Sequence, residues 1–229
     1  MATDIYRWRH LALLICILLV FTISPLLVTF RNGVLILSII GAIVVLAGAY
    51  TLSERKHLFT IAIVLSVISI IATWLLVVFQ QHWAVLLAHT CVIVLVFFFA
   101  VTILGYVLRS GRVTADRIFA AICVYMLIGY GWAFIYALLG EISPGSFTAL
   151  TEVGRNDYTQ RVMQFRYFSF MTLTTVGYGD VLPRSPAART MAALEAVMGQ
   201  IYLTVLVARL VGLHIVHSHG SDSREKIEH

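Results

Sequence analysis

The sequence predicts an all-α membrane protein with six transmembrane helices, and three observations carry that reading. Hydrophobic residues make up 60% of the 229-residue chain and charged residues only 12%, with a mean hydropathy of +0.94. Soluble domains run at roughly 45–50% and 25% for those classes. Six apolar runs are also present, each near the roughly 20 residues that a helix needs to cross about 30 Å of hydrocarbon. The third observation is a short aromatic segment between the last two runs, too short to span. This composition excludes a disordered chain, a secreted disulfide scaffold and an ordinary soluble enzyme.

The runs follow in order. Residues 11–30 are uncharged, and Pro25 within them predicts a tolerated kink. Arg31, Asn32 and Gly33 signal a turn before residues 34–52. Residues 58–79 and 83–108 form the third and fourth runs, parted by Gln80, Gln81 and His82. A fifth run covers 118–139, a polar stretch covers 141–161, and the last run covers about 187–216. The organisation predicted is a four-helix membrane unit at 1–117, a second membrane unit at 118–216 and a short polar tail at 217–229. Cys16, Cys91 and Cys123 all lie inside apolar runs and read as small hydrophobes.

The net charge of +5 follows topology and not nucleic acid, because cytoplasmic loops gather Lys and Arg. With the N-terminus inside, nine basic residues fall on cytoplasmic segments and six on outer ones. Both termini are therefore expected to be cytoplasmic. No Ser/His/Asp or metal-ligand constellation is visible, so no enzyme is expected.

Between the fifth and sixth runs stands Thr175-Val176-Gly177-Tyr178-Gly179, after the aromatic segment and before Asp180. The string TVGYG in a re-entrant position is the filter sequence of the potassium-channel superfamily, and the chain resembles its six-span, single-pore-loop form. The specific resemblance covers about 118–216; the first four runs match only in number. It implies a re-entrant pore helix at 164–174 and a filter at 175–179. Carbonyls of Thr175, Val176, Gly177 and Tyr178 would coordinate K+, with four chains meeting on an axis as a homotetramer in the lipid bilayer. Gly177 and Gly179 admit the dihedrals that co-aligned carbonyls need. Tyr167 and Phe168 are expected to brace Tyr178, and Asp180 looks like the acidic residue at the outer mouth. Gly199 falls where the family has a hinge, and Leu203, Val207 and Val211 form a stripe that could line an apolar gate.

What the resemblance implies is passive K+ conduction across the plasma membrane, with K+ in the filter, no organic cofactor and no nucleic-acid partner. Run 83–108 carries no arginine, so an arginine-type voltage sensor is not expected. Met171 stands where some relatives place a glutamate behind the filter. Glu195, deep in the last run, is expected to brace the pore helix near Thr172 or Thr174. Arg209 reads as an interfacial snorkel. Two other readings stay open: a pore-loop subunit of a potassium transporter, and a non-conducting membrane scaffold or sensor.

Overall fold

The computed structural model describes residues 8–27, 33–53, 55–79, 81–109, 114–148 and 158–225, with side chains omitted for 33–35 and 210–225. Among these residues the chain is all-helical. Its seven helices are α1 (Arg9–Leu27), α2 (Gly33–Thr51), α3 (Lys56–Phe79), α4 (His82–Val107), α5 (Ala115–Ile142), α6 (Tyr158–Leu173) and α7 (Pro186–Glu225). Helices α1, α3, α4, α5 and residues Pro186–Arg209 of α7 are long and apolar enough to cross a membrane; α2 carries a shorter apolar stretch, Ile36–Thr51. The chain is a multi-pass membrane protein.

Helices α1 to α5 pack as a circuit, α1 on α2, α2 on α3, α3 on α4, α4 on α5 and α5 back on α1. In lipid the hydrophobic effect does little to drive helices together, so close packing of small residues carries much of the association. α5 is built that way. It buries Ala120, Ala121, Gly129, Gly131, Ala133, Ala137 and Gly140, and also supports α6 and α7. It is capped at Thr114, whose side chain accepts from the Arg117 N–H.

One end of the circuit is tied by polar groups. His10 Nδ1 lies 2.7 Å from Asp116 Oδ2, and the Tyr106 hydroxyl donates to the same oxygen at 3.0 Å. The His10 and Tyr106 rings stack at 4.9 Å. The first turn of α1, the last of α4 and the first of α5 therefore meet at one level.

Two boundaries differ from the sequence reading. α6 begins at Tyr158, six residues before 164, because its first turns are polar and carry no membrane signal. α7 continues to Glu225, through most of the segment read as a polar tail. Pro25 is accommodated inside α1, near its end at Leu27.

Two glycines of α5 are used for contact. A Cβ on Gly129 would stand 2.7 Å from Phe170 Cζ, and one on Gly131 2.8 Å from Phe97 Cε2. Gly129→Ala and Gly131→Ala are each expected to destabilise the chain by about 1–3 kcal/mol, the usual range for overpacking. Gly105→Ala, whose Cβ meets nothing within 4 Å, should be neutral or stabilise by up to about 1 kcal/mol. Thermal unfolding in detergent checks the order.

Candidate functional site

The re-entrant unit is α6 and the loop that follows it. α6 buries Phe165, Phe168, Ser169, Phe170 and Leu173, a helical stripe facing α5 and α7. At its C-terminus the chain reverses without leaving the helix's last carbonyls unmet. The Thr175 N–H donates to the Thr172 carbonyl at 3.0 Å and the Gly177 N–H to the Met171 carbonyl at 3.1 Å. The Leu173 carbonyl accepts from the Tyr125 hydroxyl at 3.3 Å.

The backbone of this loop alternates in hand. φ is +60° at Thr175, +56° at Gly177 and +80° at Gly179, and is not positive at Val176 or Tyr178. Successive residues of opposite hand aim their N–H groups to one side, and hence their carbonyls to the other. Here the donors of Thr175 and Gly177 face α6, so the carbonyl row faces away from the chain's own body. Glycine adopts the left-handed region at little cost; Thr175 does so at about 1–2 kcal/mol. All of 174–180 is exposed in the single chain, with Val176 at 52% and Tyr178 at 73%.

The structure brings some of the expected braces together and separates others. Tyr167 stacks on Tyr178, with centroids 6.5 Å apart and planes 10° from parallel. Phe168 does not reach Tyr178. It points to the opposite side of α6, into an aromatic cluster with Tyr136 at 5.0 Å and Phe147 at 5.5 Å. The outer end of the loop is tied by a short pairing between Phe147 and Pro183. There Thr148 exchanges bonds with Leu182, its N–H donating to the carbonyl and its Oγ1 accepting from the N–H, and the Arg184 N–H donates to the Ser146 carbonyl.

Glu195 is fully buried, but its partners are not Thr172 or Thr174. Its Oε2 accepts from the Tyr136 hydroxyl at 2.6 Å, and its Oε1 lies 2.5 Å from Ser169 Oγ. Ser169 is one turn nearer the start of α6 than Thr172, because the depth of Glu195 was legible but its rotation about α7 was not. Ser169 Oγ also lies 2.7 Å from the Gly129 carbonyl. One hydroxyl has one proton and cannot donate to both. The set closes when the Glu195 carboxyl holds a proton and donates to Ser169, which donates to Gly129. The chain of bonds then joins α5, α6 and α7.

On α7, Ala188, Glu195, Gly199, Tyr202 and Leu206 form the stripe facing the chain's own body. The helix is unbroken at Gly199, where a Cβ would run into the Leu173 carbonyl. In this structure the glycine serves a close approach and not a bend. Leu203 and Val207 lie off that stripe and are exposed, at 38% and 58%. The side chain of Val211 lies outside the described residues. Arg209 is more than a snorkel: its guanidinium bonds the Leu108 carbonyl, and the Arg109 carbonyl at 2.7 Å, just past the end of α4. The sequence reading missed Tyr136, Ser169 and the His10–Asp116 pair. Ser169, one of several hydroxyls in the aromatic segment, left no signal that set it apart.

The Glu195 set makes a prediction. Glu195→Gln should keep near-native stability, because its NH2 replaces the acid proton toward Ser169 and its oxygen still accepts from Tyr136. Glu195→Ala leaves the buried Tyr136 hydroxyl unpaired, while Ser169 keeps its bond to Gly129, and should cost about 1–3 kcal/mol, read as a lower melting temperature in detergent. A large loss with Gln would point to an ionised carboxylate instead.

Comparison with known proteins agrees with this geometry. Residues 141–213 match the family described as "Ion channel", a stretch holding α6, the loop and most of α7. Protein LctB of Bacillus caldotenax is 33% identical over 100 residues, covering 44% of this chain and 74% of that protein. Two pore potassium channel a of Oryza sativa subsp. japonica is 32% identical over 77 residues, 34% of this chain and 21% of that one. Inward rectifier potassium channel Kirbac3.1 of Paramagnetospirillum magnetotacticum is 30% identical over 86 residues, 36% and 24% of the two chains. With a re-entrant helix, a TVGYG loop of alternating hand and these relatives, the chain belongs to the potassium channel superfamily.

Proposed function

We propose that the chain is one subunit of a homotetrameric channel that passes K+ passively and selectively through a filter formed by residues 175–179. The observation that carries this reading is the alternation of φ at Thr175, Gly177 and Gly179 with the donors of Thr175 and Gly177 held by α6. It supports a row of carbonyl oxygens free to replace the hydration shell of an ion. The exposure of Val176 and Tyr178 in the single chain supports neighbours that cover them.

The proposal extends to topology. The His10–Asp116 contact puts the starts of α1 and α5 on one side. An even number of crossings must separate them, which supports α2 as a full span and six spans in all. The charge balance then favours cytoplasmic termini in the cell membrane. α4 holds no Lys, Arg, Asp or Glu, so it has no permanent charge to move in a field, and the reading is of a pore without an arginine-type sensor. Leu203, Val207 and Val211 would line an apolar gate below the filter.

Reconstituted in liposomes with K+ on one side and Na+ on the other, the protein should reverse near the K+ potential; equal permeability would sink the reading. Gly177→Ala should abolish conduction. Its Cβ meets no neighbour, so the loss comes from left-handed strain of about 1–2 kcal/mol in every subunit.

For the gate, Val207→Ser should raise basal open probability by wetting the constriction. Val205→Ser should do less, since it projects about 200° away around the helix. Equal effects in single-channel records would place the lining on another face.

A further inference from the structure

The circuit α1 to α5 lines a half-open cavity of about 290 Å³, bounded on one side by Tyr158, Met163 and Arg166 of α6. It lies apart from the filter loop and shares no residue with it. The walls are overwhelmingly apolar, and two polar groups on them lack protein partners of the expected kind.

His89 is only 1% exposed. Its Nε2 is 3.2 Å from the Tyr158 hydroxyl, while Nδ1 has no hydrogen-bond partner. A buried imidazole nitrogen left unmet is costly. With Tyr158 donating to Nε2, the neutral ring presents an N–H at Nδ1. Arg166, on the same cavity, lies with its guanidinium 5.1 Å from the Phe21 ring centre and 5.9 Å from that of Tyr130. No carboxylate among the described residues pairs with it. Glu141 is already engaged, 2.7 Å from Arg161 and 3.8 Å from His82. An intramembrane cation without a counter-charge calls for one.

The chamber is mainly apolar, with Ser24, Ser69, Thr73 and Tyr130 also on its walls, and the cation among its described lining residues is Arg166; this fits a ligand with one apolar chain and one head of acceptor oxygens. The volume sits at the lower end of the roughly 300–1,000 Å³ typical of small-molecule sites, which suits a single chain and not a whole two-chain phospholipid. We propose that this cavity binds a free fatty acid from the surrounding bilayer, its carboxylate held by Arg166, with His89 Nδ1 a second polar contact on the same walls. The proposal needs only the cavity and a membrane, and does not rest on conduction.

The test is binding of radiolabelled palmitate to the purified full chain in phosphatidylcholine nanodiscs. Saturable binding near one palmitate per chain is expected. Unlabelled palmitate should displace it at least tenfold better than hexadecanol, which has the chain without the carboxylate, and phosphatidylglycerol should not displace it. Arg166→Gln should narrow the palmitate–hexadecanol gap. Gly41→Phe, at a lining glycine whose Cβ would meet nothing within 4 Å, should fill the chamber and remove binding of both. Non-saturable uptake by the wild-type chain would overturn the proposal. So would equal displacement by hexadecanol, which means an apolar void without head recognition, or displacement by phosphatidylglycerol, which means a phospholipid site. These wild-type readings stand even where a variant fails to fold.

Discussion

A backbone that turns its carbonyls to one side must have its N–H groups met on the other, and the pore unit is arranged around that constraint. Buried peptide groups cannot be left unpaired in a membrane, where water is absent. The C-terminus of α6 answers it, because a helix end is a cluster of carbonyls without internal partners. Met171 and Thr172 receive the donors of Gly177 and Thr175. The helix end and the loop thus cancel each other's unmet groups. This arrangement works only while the end of α6 stays fixed relative to the loop.

That requirement explains the packing behind α6. Tyr125 from α5 holds the Leu173 carbonyl, and Gly199 on α7 lets the same carbonyl approach the α7 backbone. One turn nearer the start of α7, Glu195 joins Tyr136 of α5 to Ser169 of α6. The aromatic cluster of Tyr136, Phe147, Phe165 and Phe168 then carries the same helix outward to the short pairing at Phe147 and Pro183. Met171 sits at the position where a glutamate was missed in the sequence. Its backbone is still used, and the carboxyl that braces α6 comes from α7 instead. A carboxyl from either helix can meet the need, since the need is for a polar bridge between packed helices and not for a residue at one address.

How much of this could be read from sequence follows the range of each interaction. The TVGYG loop is legible because its demands are local: glycine where φ is positive, and an aromatic where a side chain must brace. The apolar runs are legible because the bilayer sets their length. The start of α6 was not, since its first turn, Tyr158 to Arg161, is polar, and Glu141, which pairs with Arg161, stands twenty residues earlier in the sequence. The depth of Glu195 could be counted from Gly199, while its partner required the rotation of α7 against α5. The His10–Asp116 bond joins groups 106 residues apart, and Gly129 and Gly131 show their purpose only with Phe170 and Phe97 in place. Phe168 was assigned to Tyr178 only as an aromatic next to Tyr167 in the segment. On a helix Tyr167 and Phe168 diverge by about 100°, and they serve the loop and the core respectively.

The same reasoning bears on how the first four helices meet the pore. Several links cross between them. α5 belongs to both the circuit and the pore unit. The bond of His10 to Asp116 anchors the start of α5 to α1, with Tyr106 adding the end of α4. Arg209 reaches from α7 to the carbonyls of Leu108 and Arg109, where the negative end of the α4 dipole favours a cation. Two of these links fall at the end of α4, below the cavity walls that α4 supplies through His89 and Val96. α4 is thus tied at one end to α7 and lines the chamber along its length. The contacts between the first helices and α7 need no charge in α4. They consist of packing and two polar ties, with His89 Nδ1 the polar atom of α4 left without a protein partner among the described residues.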